Sequence, residues 1–448
     1  MKEKIGVHYK YLMDMLDRWN DRMYYIVFVY LKVIMDIFFV VVASQIYQYH
    51  YYEVHGNAIK YILSWVIYLV LVVLMPKKEN SIKTFFLHIQ LLIMVLPMLT
   101  LYAFTENRST IYILQVSMAI VLEILVLKEG KKEYKPVRIK NLKAFVSTFM
   151  LFLIPLITVL TINYGGFSGF SAFNAEVLNN IRANASYPAL LSYLIMWCIH
   201  IFIPFYIVYC LEKKHYVLAA FLVFDDIVLY MVLAQKIIYL SLAVILVVYA
   251  LSKTGHFIKL MHLAVCVGLT AMIILFLVEK SDVSMLIIIC VSLLGDRFLF
   301  QPALNKFLYY DIFSQYPKLY FSDGMIGKCM GLTNIYKYEP GQLAFGYVWN
   351  GRYGESNSCT GYLGDGYAQL GFIGIIIGAV VLALLVKYID HYCDNIAFGI
   401  LAAIMALYVV MLNDGALQTV LLSGGLFIFL IFLAIYTEVN KADRKGLK

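Results

Sequence analysis

Residues 357–386 read NSCTGYLGDGYAQLGFIGIIIGAVVLALLV, a polar segment rich in glycine and tyrosine that runs without a break into an apolar one. A helix needs about 20 consecutive apolar residues to cross a bilayer, and the second half of this stretch supplies such a run. The polar half closes a longer segment, 279–374, in which polar residues, glycines and aromatics occur together. We therefore expect a frame of membrane helices that holds this segment at one face of the membrane.

Composition supports the same fold class. The 448-residue chain is 62% hydrophobic and 14% charged, with a mean hydropathy of +0.79, whereas soluble domains carry about 25% charged residues. The apolar runs are continuous, while strands of a membrane barrel alternate every second residue. The sequence thus predicts an all-α, polytopic integral membrane bundle. The net charge of +8 comes from lysines beside span ends, and no basic stripe interleaved with aromatics indicates a nucleic-acid partner.

Twelve stretches qualify as transmembrane helices if two short ones are accepted. They lie near 23–47, 57–76, 84–104, 109–127, 144–163, 188–210, 216–233, 237–252, 260–278, 369–389, 396–412 and 419–437. Lysine and arginine clusters fall on one side when both termini are placed in the cytoplasm, most clearly in the run 128–143. This orientation puts the polar central segment outside the membrane.

The chain divides into three parts on this reading. Residues 1–278 form a bundle of about nine spans with an outer loop at 164–187, and 369–448 form three spans and a cytoplasmic tail. Residues 279–368 form one long extracytoplasmic loop that is partly helical. Within it, 285–294 is apolar but too short to span, so we interpret it as re-entrant, or as part of an interfacial helix that continues towards Tyr310.

Arginines are rare in the predicted outer segments, where the positive-inside rule disfavours them. The set is Arg108, Arg182, Arg297 and Arg352. A guanidinium group is a planar, permanently charged fork that suits bidentate contact with phosphate, so converging arginines would fit a lipid-linked pyrophosphate. The alternative is that each one is solvated or paired with a nearby acid, namely Asp296, Glu176 or Glu355.

Two carboxylates, Glu355 and Asp365, flank the turn 357–360. A carboxylate near a lipid surface can have its pKa raised enough to act as a general base. For Asp365 the alternative is capping of the helix that follows. The loop tyrosines can stack on sugars or form an interfacial aromatic belt.

Ionisable residues inside predicted spans are costly and invite a functional explanation. Lys32 and Asp36 are one helical turn apart and are expected to pair. Asp225 and Asp226 lie mid-span, where they would line a cavity, contact Lys236, or mark an ion pathway.

The cysteine pattern and the lack of nucleotide-binding motifs indicate neither a metal site nor a nucleotide site. Cys329 and Cys359 both fall in the long loop, and whether they pair stays open. No nucleotide-binding motif, Cys/His cluster or metal-ligand spacing occurs, so neither a cofactor nor a metal is expected.

These motifs, taken in order, resemble those of the Wzy-type polymerases that assemble O-antigen, capsule and exopolysaccharide repeat units. The strongest match is Asn357-(x)2-Thr360-Gly361-(x)3-Asp365-Gly366-Tyr367-(x)3-Gly371-(x)2-Gly374, which is similar to the family pattern NxxTGxxGDxYxxxGxxG. Weaker matches are Ala175 to Arg182, in which Leu178 replaces the usual tyrosine; Gln235-Lys236; and Arg297 to Pro302 followed by Tyr309-Tyr310.

The resemblance implies an inverting, metal-independent glycosyltransferase at the outer face of a bacterial cytoplasmic membrane. A growing glycan on polyprenyl pyrophosphate would move to a hydroxyl of one lipid-linked repeat unit, with a chain-length regulator and a flippase as further partners. Arg297 and Arg352 would neutralise the leaving pyrophosphate and Asp365, or Glu355, would act as base. Substrate contacts are expected from Arg182, Lys236, Tyr309, Tyr310, Asn357, Thr360 and Tyr367.

Two other functions are considered. O-antigen ligases share the architecture but use a histidine in the large outer loop, and no histidine lies between His262 and His391. A lipid-linked oligosaccharide flippase would suit Asp225, Asp226 and the Lys32/Asp36 pair but not the long loop.

Overall fold

In the computed structural model, the described residues are 13–47, 52–128, 137, 139, 142–169, 181, 186–235, 237–279, 284–349 and 351–437. Within these ranges the chain is helical and contains no strand. The all-α, polytopic prediction is confirmed. Arg182 and Lys236, two residues that the sequence assigns to substrate binding, lie outside the described residues.

Nine apolar helices precede the central segment in the described part of the chain. They are α1 (Asp21–Ile46), α2 (Ala58–Leu74), α3 (Ile82–Phe104), α4 (Thr110–Lys128), α5 (Lys143–Gly165), α6 (Ala189–Glu212), α7 (Tyr216–Leu233), α8 (Ile237–Ser252) and α9 (Phe257–Val278). The helix α10 covers 285–315 and is made of Met285–Cys290, a π-helical turn region Val291–Phe300, and Gln301–Gln315. The remaining helices are α11 (Met325–Cys329), α12 (Pro340–Val348), α13 (Tyr362–Leu370), α14 (Phe372–Asp390), α15 (Phe398–Asp414), α16 (Leu417–Leu421) and α17 (Leu426–Tyr436).

Ten helical stretches of the described chain are long and apolar enough to cross a membrane, and three shorter apolar helices accompany them. One of the ten is Ile287–Gln315, within α10. The other nine and the three shorter helices coincide with the twelve spans predicted from sequence. The apolar stretch at 285–294 is thus not an isolated short segment, because the helix continues from it to residue 315.

Contacts between helix ends show how α10 lies. Asp390 Oδ1, at the end of α14, accepts a hydrogen bond of 2.8 Å from the backbone N–H of Ile82, the first residue of α3. Phe257, the first residue of α9, packs on Phe85 of α3 with ring centroids 5.0 Å apart. The start of α9 and the end of α14 therefore share one end of the bundle, called here the Asp390 end. The end of α9 and the start of α14 lie at the opposite end, called here the Asp365 end.

Both ends of α10 lie at the Asp365 end. The N–H of Ser284, just before α10, donates to Glu279 just after α9 (2.8 Å). The N–H of Leu319, just after α10, donates to Ala368 O (2.9 Å), close to the start of α14. A 31-residue helix is about 46 Å long, so α10 lies across this end of the bundle rather than passing through it. This is the geometry of an interfacial helix, although its length and composition would also suit a span.

The glycines of the 357–374 motif form a tight helical hairpin. Gly371 has φ +64°, a conformation that favours glycine, and it reverses the chain between α13 and α14. A Cβ on Gly366 would meet Gly374 O at 2.9 Å, and one on Gly374 would overlap Gly366 O. The two backbones are therefore in direct contact, and α13 runs back alongside α14 into the bundle.

Buried polar pairs stabilise the interior of the frame. Lys32 Nζ lies 2.6 Å from Asp36 Oδ1, as the spacing predicts, and Thr100 donates to the same oxygen at 2.7 Å. Asp225 and Asp226 are both buried, and Thr158 donates to Asp225 at 2.9 Å. Lys32 and Thr100 thus compensate one oxygen of the buried Asp36 carboxylate, while Oδ2 has no hydrogen-bond partner among the described residues.

The hairpin contact yields a prediction about stability. Gly374→Ala should lower the thermal unfolding midpoint in detergent by several degrees, because overpacking a close contact costs about 1–3 kcal/mol. Gly378→Ala on the same helix is the matched control. Its Cβ would make only ordinary contact with Tyr362, 3.5 Å away, and alanine is a better helix former than glycine. An unchanged midpoint in Gly374→Ala would contradict the close packing.

Candidate functional site

The candidate site is a cluster of side chains around the second half of α10, at the Asp365 end. Different faces of this helix meet the 357–365 turn, the helix α13 and the loop that joins α3 to α4. Asn305 Nδ2 donates to Cys359 O at 2.7 Å, which attaches the turn directly to α10. Several polar residues predicted from the sequence are therefore brought around one helix.

Asp365 is the most deeply placed carboxylate of the predicted site, with 9% of its surface exposed. Gln369 Nε2 bridges two carboxylates, at 3.1 Å from Asp365 Oδ1 and 3.0 Å from Asp323 Oδ1. The side-chain oxygen of Gln369, Oε1, accepts a hydrogen bond from the backbone N–H of Phe321 at 2.7 Å, and this contact fixes the orientation of the side-chain amide. The Asp365 side chain is thus held in one position by a neutral donor rather than by a cation.

The environment makes Asp365 a group that changes protonation near neutral pH. Burial raises the pKa of Asp365 from 3.8 to about 7, the hydrogen bond from Gln369 acts against this rise, and the charge of Asp323 adds to it. A general base works best when its pKa lies near the operating pH. Asp365 does not cap α13, whose N-cap residue is Gly361. The capping alternative is therefore wrong.

Tyr309 lies next to this carboxylate. It is 4% exposed and lies within electrostatic range of Asp365, Asp323 and Glu339. Thr360 is also buried, and its hydroxyl oxygen, which faces Gly364, has no hydrogen-bond partner among the described residues. Buried hydroxyl groups normally find a partner, so the Thr360 hydroxyl is available to a water molecule or a substrate group.

An aromatic stack includes Tyr367, which lies two residues after Asp365 on α13. The rings of Tyr112 and Tyr310 stack with centroids 4.7 Å apart, and Tyr310 lies 4.7 Å from Tyr367. Lys318 Nζ lies 3.8 Å from the centroid of the Tyr367 ring, a cation–π contact, and burial lowers the pKa of Lys318. Tyr310 and Tyr367 were predicted from sequence, whereas Tyr112 and Lys318 were not.

Arg297 lies beside the turn. Its side chain is exposed, and Nη1 donates to Gln301 Oε1 at 2.5 Å. Burial raises the pKa of the Cys359 thiol, and the positive charge of Arg297 acts against that rise, which places the guanidinium group within electrostatic range of the 357–365 turn. Cys359 and Cys329 are both free cysteines, so the two are not joined in this structure.

Arg352 and Glu355 occupy a different place. They pair with each other, with Arg352 Nη2 2.5 Å from Glu355 Oε2, and the two side chains are 60% and 51% exposed. This is the salt-bridge alternative considered for Arg352. Asn357 is exposed beside the first turn of α12, where its carboxamide oxygen lies 2.9 Å from the position of a Cβ on Gly341.

Two further cations were given no role by the sequence. Arg108 is 8% exposed, donates to Thr105 Oγ1 at 3.0 Å and lies near Phe307 and Asp311. Burial lowers the pKa of Arg108, and the charge of Asp311 acts against this. Lys306 is fully buried, and its ammonium group donates to Pro302 O, Asn413 O and Asn413 Oδ1. Spacing alone could not reveal the contacts of Arg108 with Phe307 and Asp311 or of Lys306 with Asn413, because these partners lie far away in sequence.

Metal chemistry has no obvious location in the described part of the chain. No group of three or more His, Cys, Asp or Glu side chains there converges in a way that could hold a metal ion. The donors around Asp365 are instead tyrosines, amides and single carboxylates.

Comparison with known proteins gives no match: no protein-family model, no curated protein and no solved structure matches this chain. The geometry of these residues is therefore the structural support for a function.

The raised pKa of Asp365 predicts a pH-dependent stability. The folded protein holds the Asp365 proton up to about pH 7, whereas the unfolded chain releases it near pH 3.8. Because the native state binds the extra proton, this group makes stability fall as pH rises from about 4 to about 7. Asp365→Asn should remove that component, which is worth on the order of 4 kcal/mol. The difference between the unfolding midpoint of the variant and that of wild type should therefore increase in favour of the variant as the pH rises from about 5 to about 8.

Asp323→Asn is the control for this measurement. It removes a charge that raises the pKa of Asp365 but keeps Asp365 itself. We expect it to move the pH transition to lower values without abolishing it. A wild-type profile identical to that of Asp365→Asn would show that Asp365 ionises normally.

Proposed function

We propose that this chain polymerises polyprenyl-pyrophosphate-linked oligosaccharide repeat units, as the resemblance to Wzy-type polymerases implies. The observation that supports this best is the buried carboxyl group of Asp365, whose pKa is raised to about 7, at the same end of the bundle as the aromatic stack on Tyr367 and as Arg297. Transfer between two lipid-linked sugars needs a base, a site for a departing pyrophosphate and surfaces for sugar rings. This cluster offers a candidate for each.

The proposed reaction balances without a metal or a nucleotide. Ionised Asp365 takes the proton from the acceptor hydroxyl, whose oxygen forms a bond to the anomeric carbon of the donor glycan. The bond from that carbon to the pyrophosphate oxygen breaks, and the polyprenyl pyrophosphate leaves with the electron pair. Arg297 stabilises the charge that develops on it. The departing pyrophosphate carries the free energy that drives the transfer.

The substrate-binding roles follow the same arrangement. Tyr310 and Tyr367 present ring surfaces on which the C–H faces of sugars can stack, and Tyr309 and Thr360 offer hydroxyl groups close to Asp365. Lys318, held over Tyr367, adds positive charge to this side of the cluster. The roles predicted for Arg182 and Lys236 stay predictions.

A purified-protein assay tests the proposal. Full-length protein in detergent is mixed with lipid-linked repeat units from its own host, without nucleotide and with a chelator. We expect a ladder of lipid-linked products spaced by one repeat unit, and Asp365→Asn should reduce its rate by about 10²–10⁴-fold, the usual contribution of a general base. A lost ladder from protein that still unfolds cooperatively, at a midpoint no lower than that of wild type, would assign the base, whereas a wild-type ladder from Asp365→Asn would exclude it.

The two loop arginines form a second test with an internal comparison. The sequence assigns both to neutralising the leaving pyrophosphate, but the structure gives them different surroundings. Arg297→Gln should reduce the rate by about 10²–10³-fold, as for the loss of one donor to a developing anion. Arg352→Gln should have a much smaller effect, because Arg352 is exposed and already paired with Glu355. The reverse ranking would contradict the role of Arg297.

Transport is the second candidate function. Asp225, Asp226 and Glu123 are buried within helices of the bundle, and ionisable groups at such positions often serve transport. A flippase would move labelled lipid-linked repeat units across proteoliposome membranes and form no ladder. That outcome would make Asp225 and Asp226, rather than Asp365, the residues to replace.

A further inference from the structure

A polar cavity lies at the Asp390 end of the bundle, away from the candidate site around Asp365. It has a volume of about 230 Å³ and lies between the first turns of α1 and α9 and the loop that joins α2 to α3. Its lining includes Trp19, Tyr24, Lys77, Glu79, Lys259 and His262. Nothing in the proposed reaction uses these residues.

Two hydrogen-bond donors of this cavity have no partner among the described residues. They are the hydroxyl group of Tyr24 and the indole N–H of Trp19, and both atoms are buried. Tyr24 is only 9% exposed. Because a buried polar group without a partner costs free energy, these two donors indicate a ligand that presents acceptor oxygens.

The carboxylates of the same cavity are already engaged. Asp21 accepts from Lys77 Nζ at 2.9 Å, and Glu79 accepts from the backbone N–H of Ile258 at 2.8 Å. Lys77 Nζ also lies 4.9 Å from the centroid of the Tyr24 ring. An oxyanion near Tyr24 would therefore meet the two donors that have no partner among the described residues and the ammonium group of Lys77, which it would share with Asp21.

His262 lines the cavity but offers no unpaired hydrogen-bonding group to a ligand. Its Nδ1 lies 2.7 Å from Ile258 O, and its Nε2 lies 3.3 Å from His88 Nδ1. Both ring nitrogens are thus used inside the protein. Lys259 is also engaged through its ammonium group, which donates to Leu16 O at 2.8 Å.

An apolar groove borders this cavity and runs along the same two helices, α1 and α9. It has a volume of about 450 Å³ and is lined on α1 by Ile26, Val27 and Tyr30 and on α9 by residues from Leu263 to Ile274. Val27 lines both the cavity and the groove. From Leu263 to Ile274 the helix rises about 16 Å, which is close to half of the roughly 30 Å hydrocarbon core of a bilayer.

We propose that the cavity and the groove together bind one phosphate-bearing membrane lipid, with its headgroup at Tyr24 and Trp19 and one hydrocarbon chain between α1 and α9. The polar cavity alone would suit a free oxyanion, and the groove alone would suit any apolar chain. Because Val27 lines both spaces, they lie side by side and favour a molecule that has both parts. This site is independent of the proposed polymerase activity.

The binding test uses the delipidated full-length protein in detergent. Thermal unfolding is followed with added phosphatidylglycerol, with diacylglycerol of the same chains, and with inorganic phosphate. We expect phosphatidylglycerol alone to raise the midpoint by several degrees, with one lipid retained per chain in native mass spectrometry. An equal shift from diacylglycerol would overturn recognition of the phosphate, and an equal shift from inorganic phosphate would overturn the lipid assignment.

Variants locate the lipid. Tyr24→Phe and Trp19→Phe should each weaken lipid binding by about 10-fold, the effect of one lost hydrogen bond to a charged group, and Ala271→Phe should fill the groove and remove the retained lipid. Tyr193→Phe and Val247→Phe are the matched controls, because both residues are exposed and line neither space. Each variant must first show the wild-type midpoint without lipid. Equal lipid binding in all five variants would overturn the proposal.

Discussion

The direct contact between the backbones of α13 and α14 is the constraint on which the candidate site depends. It brings Gly366 against Gly374 and leaves no room for a Cβ atom at Gly374. With the two helices this close, α13 enters the bundle beside a membrane helix instead of lying on its surface. Asp365 and Tyr362 are consequently buried on a helix of only nine residues.

In this hairpin, different faces of α13 contact the bundle interior and the segment around Phe321. Tyr362 donates to Glu123 at 2.7 Å inside the bundle, whereas Asp365 and Gln369 face Asp323 and the chain around Phe321. Tyr367 turns towards Tyr310 of α10. The α13–α14 hairpin and α10 therefore stabilise each other through this contact. A substitution at Tyr310 or Tyr367 is expected to change the position of Asp365.

Much of the frame follows from the sequence, because the length of an apolar run alone decides whether a helix can cross a bilayer. All twelve predicted segments coincide with apolar helices of the structure. The helix α10 was only partly predicted, because Asp296, Arg297, Asn305 and Lys306 interrupt its apolar pattern. The structure satisfies three of these with partners that lie far away in sequence: Tyr52 donates to Asp296, Asn305 donates to Cys359, and Lys306 donates to Asn413.

The site was also only partly predictable. The motif around Asp365 identified a carboxylate, tyrosines and glycines that the fold brings together. It could not show that Arg352 pairs with its near neighbour Glu355, since a salt bridge and a substrate contact need the same residue types. Tyr112 and Lys318 were missed for a different reason: each acts through ring contacts with Tyr310 or Tyr367 that only the packed helices create.

Charge compensation separates the buried carboxylates of this protein into two kinds. Asp36 has Lys32 and Thr100 as partners, and Asp390 has Lys83 and the N-terminus of α3, so both are stabilised where they lie. Asp365 forms no ion pair among the described residues and is held by one amide. A buried carboxylate without a cation destabilises the fold when it ionises, and a neutral side chain of similar size would avoid that cost. An acid at this position fits the proposed role of Asp365 as the base that takes up and releases a proton, with the exposed Arg297 at the same end of the bundle.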